Sequence, residues 1–321
     1  MKRCANCSES LMEDAKFCHK CGEKVSERVF LSFDDQKTII AEPTREELIA
    51  LKDIFKVKKL SDGTYEISDG AGSLNNYTVP SFVSRIGENA FNEIEDITEV
   101  TIGENVKYID ATAFDDNGYI DVVNITLSQE AMDSIVAQEG ECGFDMFFPY
   151  LEKANIKISQ TAKTIPECIF ASCPITEIEI PNSVTEIKMG AFGDCGELER
   201  VTIGNSVKII GSNAFESCEA LDKIVLPESV EVIESAAFAG CNSLIEFRIP
   251  SKVKVINDGT FAECSSLETV YIGKSVEKIG NEIFDGCRAL SFIYLEAYTP
   301  LNKRELVDLV PDFCEIERLT K

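Results

Sequence analysis

A 23-residue period constrains this chain more than any other feature. Ile175, Leu198, Leu221, Leu244, Leu267 and Leu290 each open a unit, and every step between them is 23 residues. The units begin with a Leu-x-x-Ile-x-Ile pattern, as at Leu198, Val201 and Ile203 or at Leu267, Val270 and Ile272. The last three residues of that pattern alternate in, out, in, which reads as a short half-buried strand. Pro181, Gly204, Pro227, Pro250 and Gly273 then follow. Proline lacks the N–H that would continue a ladder and glycine tolerates turn dihedrals, so the strand stops there. A second apolar pair comes next (Val184/Ile187, Val207/Ile210, Val230/Ile233, Val253/Ile256, Val276/Ile279), predicted to form an opposite wall. Phe-x-x-Cys closes the unit, and residues three apart face one way on a single helical turn. A unit this short cannot bury its own apolar face. Stacked units bury one continuous core, with parallel strands about 4.8 Å apart. The pattern therefore predicts a β-rich solenoid of about ten rungs, roughly 45 Å long.

The same pattern runs earlier. Leu74, Tyr77, Val79, Pro80, Val83, Ile86 and Phe91 make one unit; Ile97, Val100, Ile102, Gly103, Val106, Ile109 and Phe114 make the next. In these two, Ile94 and Asn117 take the cysteine position. A third unit opens at Ile120, Val123 and Ile125 and is interrupted, and register returns at Ile156, Ile158, Ile165, Phe170 and Cys173. From residue 74 to about 297 this arrangement resembles the leucine-rich repeats of the BspA-like (Treponema pallidum type) family. "SVKIIGSNAFESCEALDKIVLPESV" carries the strand, the Pro/Gly turn, the "AF" pair and the cysteine together. The resemblance implies a leucine-rich-repeat solenoid, a parallel sheet with short helical turns. It also implies relatives that include bacterial surface proteins acting in adhesion.

Cys173, Cys195, Cys218, Cys241, Cys264 and Cys287 share one inward column. One rung apart, they are spaced beyond the usual disulfide Cβ separation of about 3.8 Å. A buried free cysteine behaves as a small hydrophobe, and that is the expectation here; a metal or redox ladder is the alternative. Cys4, Cys7, Cys18 and Cys21 are different. "CANC" and "CHKCG" form Cys-x2-Cys-x10-Cys-x2-Cys, two close pairs that supply four thiolates for tetrahedral Zn²⁺. A segment this short cannot hold an apolar core, so metal binding would provide most of its folding energy. Residues 1–24 are thus similar to a small zinc ribbon with one structural zinc per chain. His19, the only histidine, lies inside the second knuckle and is read as a bystander.

Residues 25–73 are out of register and are assigned to a linker and N-terminal cap. "TREELIALKDIF" predicts a helix capped by Thr44, and "KKLSDGTYEI" a hairpin turning at Asp62-Gly63. The insertion at 126–155 predicts a helix that starts at Ser128 and carries Met132, Ile135 and Val136 on one face. Residues 128–152 hold six acids and no Lys or Arg. Its apolar stretch Phe144–Tyr150 is expected to pack that helix onto the solenoid, with a binding site as the other reading. Residues 298–321 are assigned to a C-terminal cap.

The formal net charge is −25, from 31 Lys+Arg against 56 Asp+Glu. That balance repels phosphate backbones and anionic lipid, so nucleic acid and membranes are poor partners and a protein partner is expected. No signal peptide or membrane span is visible, and thirteen cysteines suit a reducing compartment, so the expectation is cytoplasmic. The outward residues of the strand wall are the candidate recognition surface. Glu177/Glu179, Arg200/Thr202, Lys223/Val225 and Glu246/Arg248 form its middle, and Thr269/Tyr271 and Phe292/Tyr294 its C-terminal end. Tyr271, Phe292 and Tyr294 are the candidate anchors, with Arg248, Lys223 and Arg200 as their charged rim, unless the C-terminal segment covers them. The function expected is a non-enzymatic protein-interaction scaffold with the ribbon as a second docking module. The alternative is an adhesin-like surface protein exported without a recognisable signal. An enzyme finds little support: the sole histidine sits in a metal knuckle, no Gly-rich phosphate loop occurs, and four thiolates leave a zinc no open position.

Overall fold

The computed structural model describes strand backbone at residues 2–3 and 10–11, and the chain at 42–115, 117–118, 120–138 and 151–319. It divides into two compact units, Met1–Glu42 and Pro43–Lys321. In the first, Lys2–Arg3 pairs antiparallel with Ser10–Leu11. The four cysteines themselves lie outside the described residues, as does Phe144–Tyr150.

The second unit is a parallel β-solenoid with two strand walls. One wall stacks Tyr77–Thr78, Glu99–Ile102, Val122–Leu127 and Lys153–Ile158 in parallel. Glu177–Ile180, Arg200–Ile203 and Lys223–Ile224 continue it, then Glu246–Arg248, Thr269–Ile272, Phe292–Leu295 and Glu315–Arg318. The opposite wall holds the second apolar pair of each unit, from Thr164–Ile165 through Glu186–Ile187 and Ile209–Ile210 to Val232–Ile233, then Val255–Ile256 and Lys278–Ile279. Inward positions of both walls are buried, among them Val184, Ile187, Val207, Ile210, Val270 and Ile293. The turn after Arg200–Ile203 is tight. A Cβ on Gly204 would lie 2.5 Å from the Pro181 carbonyl oxygen one rung back, so only glycine fits there.

Between the walls runs a file of phenylalanines. Phe170, Phe192, Phe215 and Phe238 stack nearly parallel, with ring centroids 5.2, 5.2 and 5.5 Å apart. Each ring is held by its own backbone: the Phe192 N–H donates to the Ala214 carbonyl and the Phe215 N–H to Ala237, both at 2.9 Å. Burying such a ring removes a large apolar area from water, which makes this file the largest repeated contribution to the core.

The ends differ from expectation. The helix Arg45–Lys52 forms with a capping box: the Glu47 N–H donates to Thr44 Oγ1 at 3.1 Å and the Thr44 N–H to Glu47 Oε2 at 2.6 Å. The hairpin forms too, Lys56–Lys59 against Tyr65–Ser68, turning with Gly63 at φ +90°. Tyr65–Ser68, however, already pairs in parallel with Val83–Ile86, and Ala71–Ser73 with Glu93–Glu95. Parallel stacking therefore begins at residue 65, nine residues before the first unit read from the sequence, because this hairpin strand serves as a rung of the second wall. At the other end Glu315–Arg318 extends the first wall by one more parallel strand. The C-terminal segment lengthens the sheet edge to edge.

The insertion replaces one strand of the second wall. That wall runs Tyr65–Ser68, Val83–Ile86, Tyr108–Ile109, and resumes only at Thr164–Ile165. In the gap lies the helix Gln129–Val136, started by Ser128, whose side chain accepts from the Ala131 N–H at 3.1 Å. Met132 and Ile135 are buried and Val136 is half-buried. Two glutamines substitute for the missing ladder. Gln129 Oε1 accepts from the N–H groups of Lys163 and Thr164 at 2.9 and 3.0 Å. Gln138 Nε2 donates to the Ile109 carbonyl and Gln138 Oε1 accepts from the Ala111 N–H, both at 2.7 Å. A primary amide offers the same donor and acceptor as a peptide group, so the strands on either side keep their partners.

Candidate functional site

The cysteine column carries hydrogen bonds as well as packing. Cys195 donates through its thiol to the carbonyl of Phe170 at 3.0 Å, Cys218 to Phe192 at 3.2 Å, and Cys241 to Phe215 at 3.2 Å. Cys264 and Cys287 do the same to Phe238 and Phe261 at 3.1 and 3.0 Å. Each donor reaches back 25 or 26 residues to the rung before it. Asn117, at the cysteine position of an earlier unit, donates through Nδ2 to the Phe91 carbonyl across the same interval, at 2.5 Å. Where cysteine or asparagine stands, the column supplies a small donor to the rung before it; Ile94, at the same position one unit earlier, fills it with apolar volume alone. Burial pushes the thiols of Cys195, Cys241 and Cys287 up to about 12, and those of Cys218 and Cys264 up as well. A thiol that stays protonated and is occupied by a carbonyl is neither nucleophile nor metal ligand at neutral pH. This chemistry supports the structural reading of the column.

The outer face of the first wall brings the six sequence-predicted residues onto one surface. Arg200 and Lys223 are neighbours in register, as are Arg248 and Tyr271, and Tyr271 and Tyr294. The Tyr271 and Tyr294 rings stack at 5.1 Å. The Arg248 guanidinium lies over Tyr271 at 4.2 Å from its centroid, and its Nη1 donates to Glu296 Oε1 at 2.9 Å. Phe292 stands beside Tyr294, with centroids 6.0 Å apart, and is 37% exposed. Arg200 pairs with Glu177 at 3.1 Å and Glu199 at 3.2 Å, both exposed, so these ion pairs add little to stability.

Between the charged and aromatic parts the sheet comes apart. Lys223–Ile224 ends one hydrogen-bonded sheet and Glu246–Arg248 begins another, and at the same step the second wall breaks between Val232–Ile233 and Val255–Ile256. The inward column explains the coincidence. Ile178, Val201, Ile224, Val270 and Ile293 occupy it elsewhere, and here it is Phe247. That ring wedges between Phe238 and Phe261, 4.9 and 4.6 Å from them, and their centroids stand 6.1 Å apart. An extra aromatic takes up room in a close-packed file, and it stands at the step where both ladders stop. On the outer face this leaves a cleft of about 490 Å³ lined by Asp222, Lys223, Val225, Glu228, Ile245 and Arg248. A second of about 510 Å³ lies towards Arg200. Val225, 68% exposed, borders both, and Ile245 is 51% exposed. The sequence reading named Val225 as outward and missed the cleft. The signal was there, as the single phenylalanine in a column that is otherwise Val and Ile from Ile178 to Ile316.

A sequence profile of the BspA type leucine rich repeat region matches the chain in six copies, over residues 30–137 and 147–296. The chain belongs to the BspA-type leucine-rich repeat family. The profile takes in the interrupted rungs and begins well before residue 74. Among solved structures, this BspA-type chain is similar to the Treponema pallidum leucine-rich repeat protein, with 23% identity, 82% of this chain and 97% of that one covered, and a TM-score of 0.36. It is also similar to a leucine-rich cell surface protein of Faecalibacterium prausnitzii, with 19% identity, coverage of 83% and 93%, and a TM-score of 0.36. A third is the pneumococcal vaccine antigen PcpA, with 12% identity, coverage of 83% and 97%, and a TM-score of 0.41. No curated protein sequence matches significantly. Among the described residues, no helix of this BspA-type chain is long and apolar enough to cross a membrane.

Proposed function

We propose that this protein is a non-enzymatic interaction scaffold that holds a protein partner on the outer face of its first strand wall. Leucine-rich repeat solenoids are typically binding scaffolds, and such proteins generally take protein partners. The observation that supports this face is the outward strip of Tyr271, Phe292 and Tyr294, with Phe292 exposed and the tyrosines half-buried, flanked by Arg248, Lys223 and Arg200 and by the cleft at Val225. Aromatic side chains on a rigid sheet anchor a partner at low entropic cost, and the charges set its orientation. In this reading the N-terminal ribbon, Cys4, Cys7, Cys18 and Cys21 around one structural Zn²⁺, is a second docking module. Four thiolates suit zinc by number and softness, and the site would organise residues 1–24 without chemistry of its own.

The test is affinity capture from native lysate with three forms: the intact chain, the chain lacking residues 1–24, and Tyr271→Ser with Tyr294→Ser. The double variant is expected to retain its circular dichroism and to weaken capture more than about tenfold, roughly 1.4 kcal/mol. Undiminished capture by it moves the site away from this face. Elemental analysis of protein purified without chelator is expected to give one zinc per chain, and its absence removes the ribbon from the account.

A further inference from the structure

The outer face carries an unfinished ladder. In register across four rungs it reads Arg248, Tyr271, Tyr294, Glu317. At the near end the arrangement is complete: a guanidinium covers the Tyr271 ring at 4.2 Å and is itself held by Glu296. At the far end a carboxylate stands where the near end has a cation. Beside it the same mismatch recurs, since Glu315 is in register with Phe292. The face of an aromatic ring is its negative pole, so a neighbouring carboxylate gains nothing from it, while a cation placed between them is attracted by both. Glu315 and Glu317 are exposed and make no ion pair or side-chain hydrogen bond among the described residues. Arg318, the one basic residue of that strand, is turned away and donates to the Thr299 carbonyl at 2.8 Å and to the Leu301 carbonyl.

We infer that the Phe292–Tyr294 end of this face is a receptor for arginine side chains of an extended, basic partner segment, each guanidinium stacking on an aromatic ring and pairing with Glu315 or Glu317. This rests on the interaction face proposed above and names the chemistry of its occupant. Two features argue for arginine. The planar guanidinium stacks on a ring and pairs with a carboxylate at once, which the compact ammonium of lysine does less well, and Arg248 already does both in this molecule. The spacing argues for an extended segment: Phe292 and Tyr294 are two apart on one strand, so alternate side chains of a second extended chain meet them together. The net charge of −25 draws a basic segment toward the molecule from a distance.

The experiment uses the full chain and a fluorescein-labelled Gly/Ser peptide with two arginines at alternate positions, read by fluorescence anisotropy. Controls are the same peptide with citrulline, neutral and nearly isosteric, or with lysine. The arginine peptide is expected to bind about tenfold or more tightly than the citrulline peptide and more tightly than the lysine one. Glu315→Gln with Glu317→Gln should remove most of that discrimination. Glu93→Gln with Glu95→Gln, the same charge change two residues apart on a strand distant from this face, should leave it intact. Equal binding of arginine and citrulline peptides overturns the inference. So does an equal loss in the distant pair, which would make the attraction a matter of net charge alone. If the peptides are not distinguished while the Tyr271/Tyr294 double variant still loses captured partner, the arginine assignment falls and the interaction face stands.

Discussion

Residues 128–138 and residues 221–249 both break the strand ladder of this solenoid, and the two breaks are handled differently. At the first, a helix displaces one strand of the second wall, and Gln129 and Gln138 offer their amides to the backbone groups left without a strand. At the second, Phe247 sits between two rungs and both ladders stop; Glu228 reaches across to the Ser251 N–H and Oγ at 3.1 and 2.6 Å, and Asn257 Nδ2 to the Ile233 carbonyl at 2.6 Å, but Val225 and Ile245 stay exposed at the outer opening. A repaired break conserves the ladder and buries its surface. An open break exposes apolar surface that a soluble chain rarely keeps without use. The difference is what favours, in the function proposed above, the second break and the aromatic strip beside it as the binding part of the solenoid.

The largest expected effect tests the Phe file that runs between the walls. Phe215→Ala sits in a regular, closely stacked step and should cost about 3–5 kcal/mol, because the rungs on either side are held by their own ladder bonds and cannot close on the cavity. Chemical denaturation with an unchanged m-value checks it. A loss under about 1 kcal/mol would mean that rungs move freely, and the account of the Phe247 wedge would fail with it.

Next in size is the repair itself. Gln129→Ala with Gln138→Ala leaves the amides of Lys163, Thr164 and Ala111 and the Ile109 carbonyl without these partners. The expected cost is about 2–3 kcal/mol in all, since partly exposed groups recover some hydration. Hydrogen exchange should speed up at Ala111, Lys163 and Thr164 and not at residues beyond the helix. A uniform change along the solenoid would show instead that the glutamines stabilise the fold as a whole.

Smaller still is the change at the open break. Phe247→Ile restores the residue type that the other rungs carry. It should cost only about 1–2 kcal/mol, because a step already widened can close as the ring is removed. Closing has a signature. In the next step the Ile249 N–H donates to the Tyr271 carbonyl at 2.9 Å, and the equivalent Leu226 N–H should gain the Arg248 carbonyl as its partner. Slower exchange at Leu226 and a weaker grip on partner would tie the cleft to Phe247; unchanged exchange would place the cause of the break elsewhere.

What the sequence made legible follows from which interactions repeat. Inward residues, turns and the Phe file recur every 23 residues, so Phe192, Phe215 and Phe238 could be placed in one column from spacing alone. The helical insertion and the Phe247 step occur once each. Gln129 and Gln138 act through side chains that reach the backbone of strands about thirty residues away in sequence, and no local pattern encodes that pairing. The start at Tyr65 was hidden because a hairpin strand does the work of a rung without the repeat motif. Of the candidate face, alternation gave Tyr271, Phe292 and Tyr294 directly. The cleft at Val225 depends on the volume of one buried residue, a quantity that a hydrophobic pattern does not record.

The smallest effect belongs to the cysteine column, common to the rungs on both sides of the open break. Cys218→Ala removes a small buried group and the thiol that donates to Phe192, while that carbonyl keeps its bond from the Cys195 N–H at 3.4 Å. The expected cost is about 1 kcal/mol. Its pH dependence is distinctive. An unfolded thiol ionises at about 8.5, whereas burial holds Cys195, Cys241 and Cys287 up to about 12 and raises Cys218 too. The unfolded chain therefore releases protons first as pH rises. The stability these thiols contribute is complete below about 8.5 and is lost progressively as pH climbs toward 12. Denaturation midpoints at pH 8 and pH 10 should fall for the native chain and fall less for Cys218→Ala. The hydrogen bond itself can be read without mutation, since the S–H stretching band of the folded protein should lie at lower frequency than that of the urea-unfolded chain. A folded band at the unfolded position would leave the column as apolar filling, and the donor shared between cysteine and Asn117 would lose its meaning.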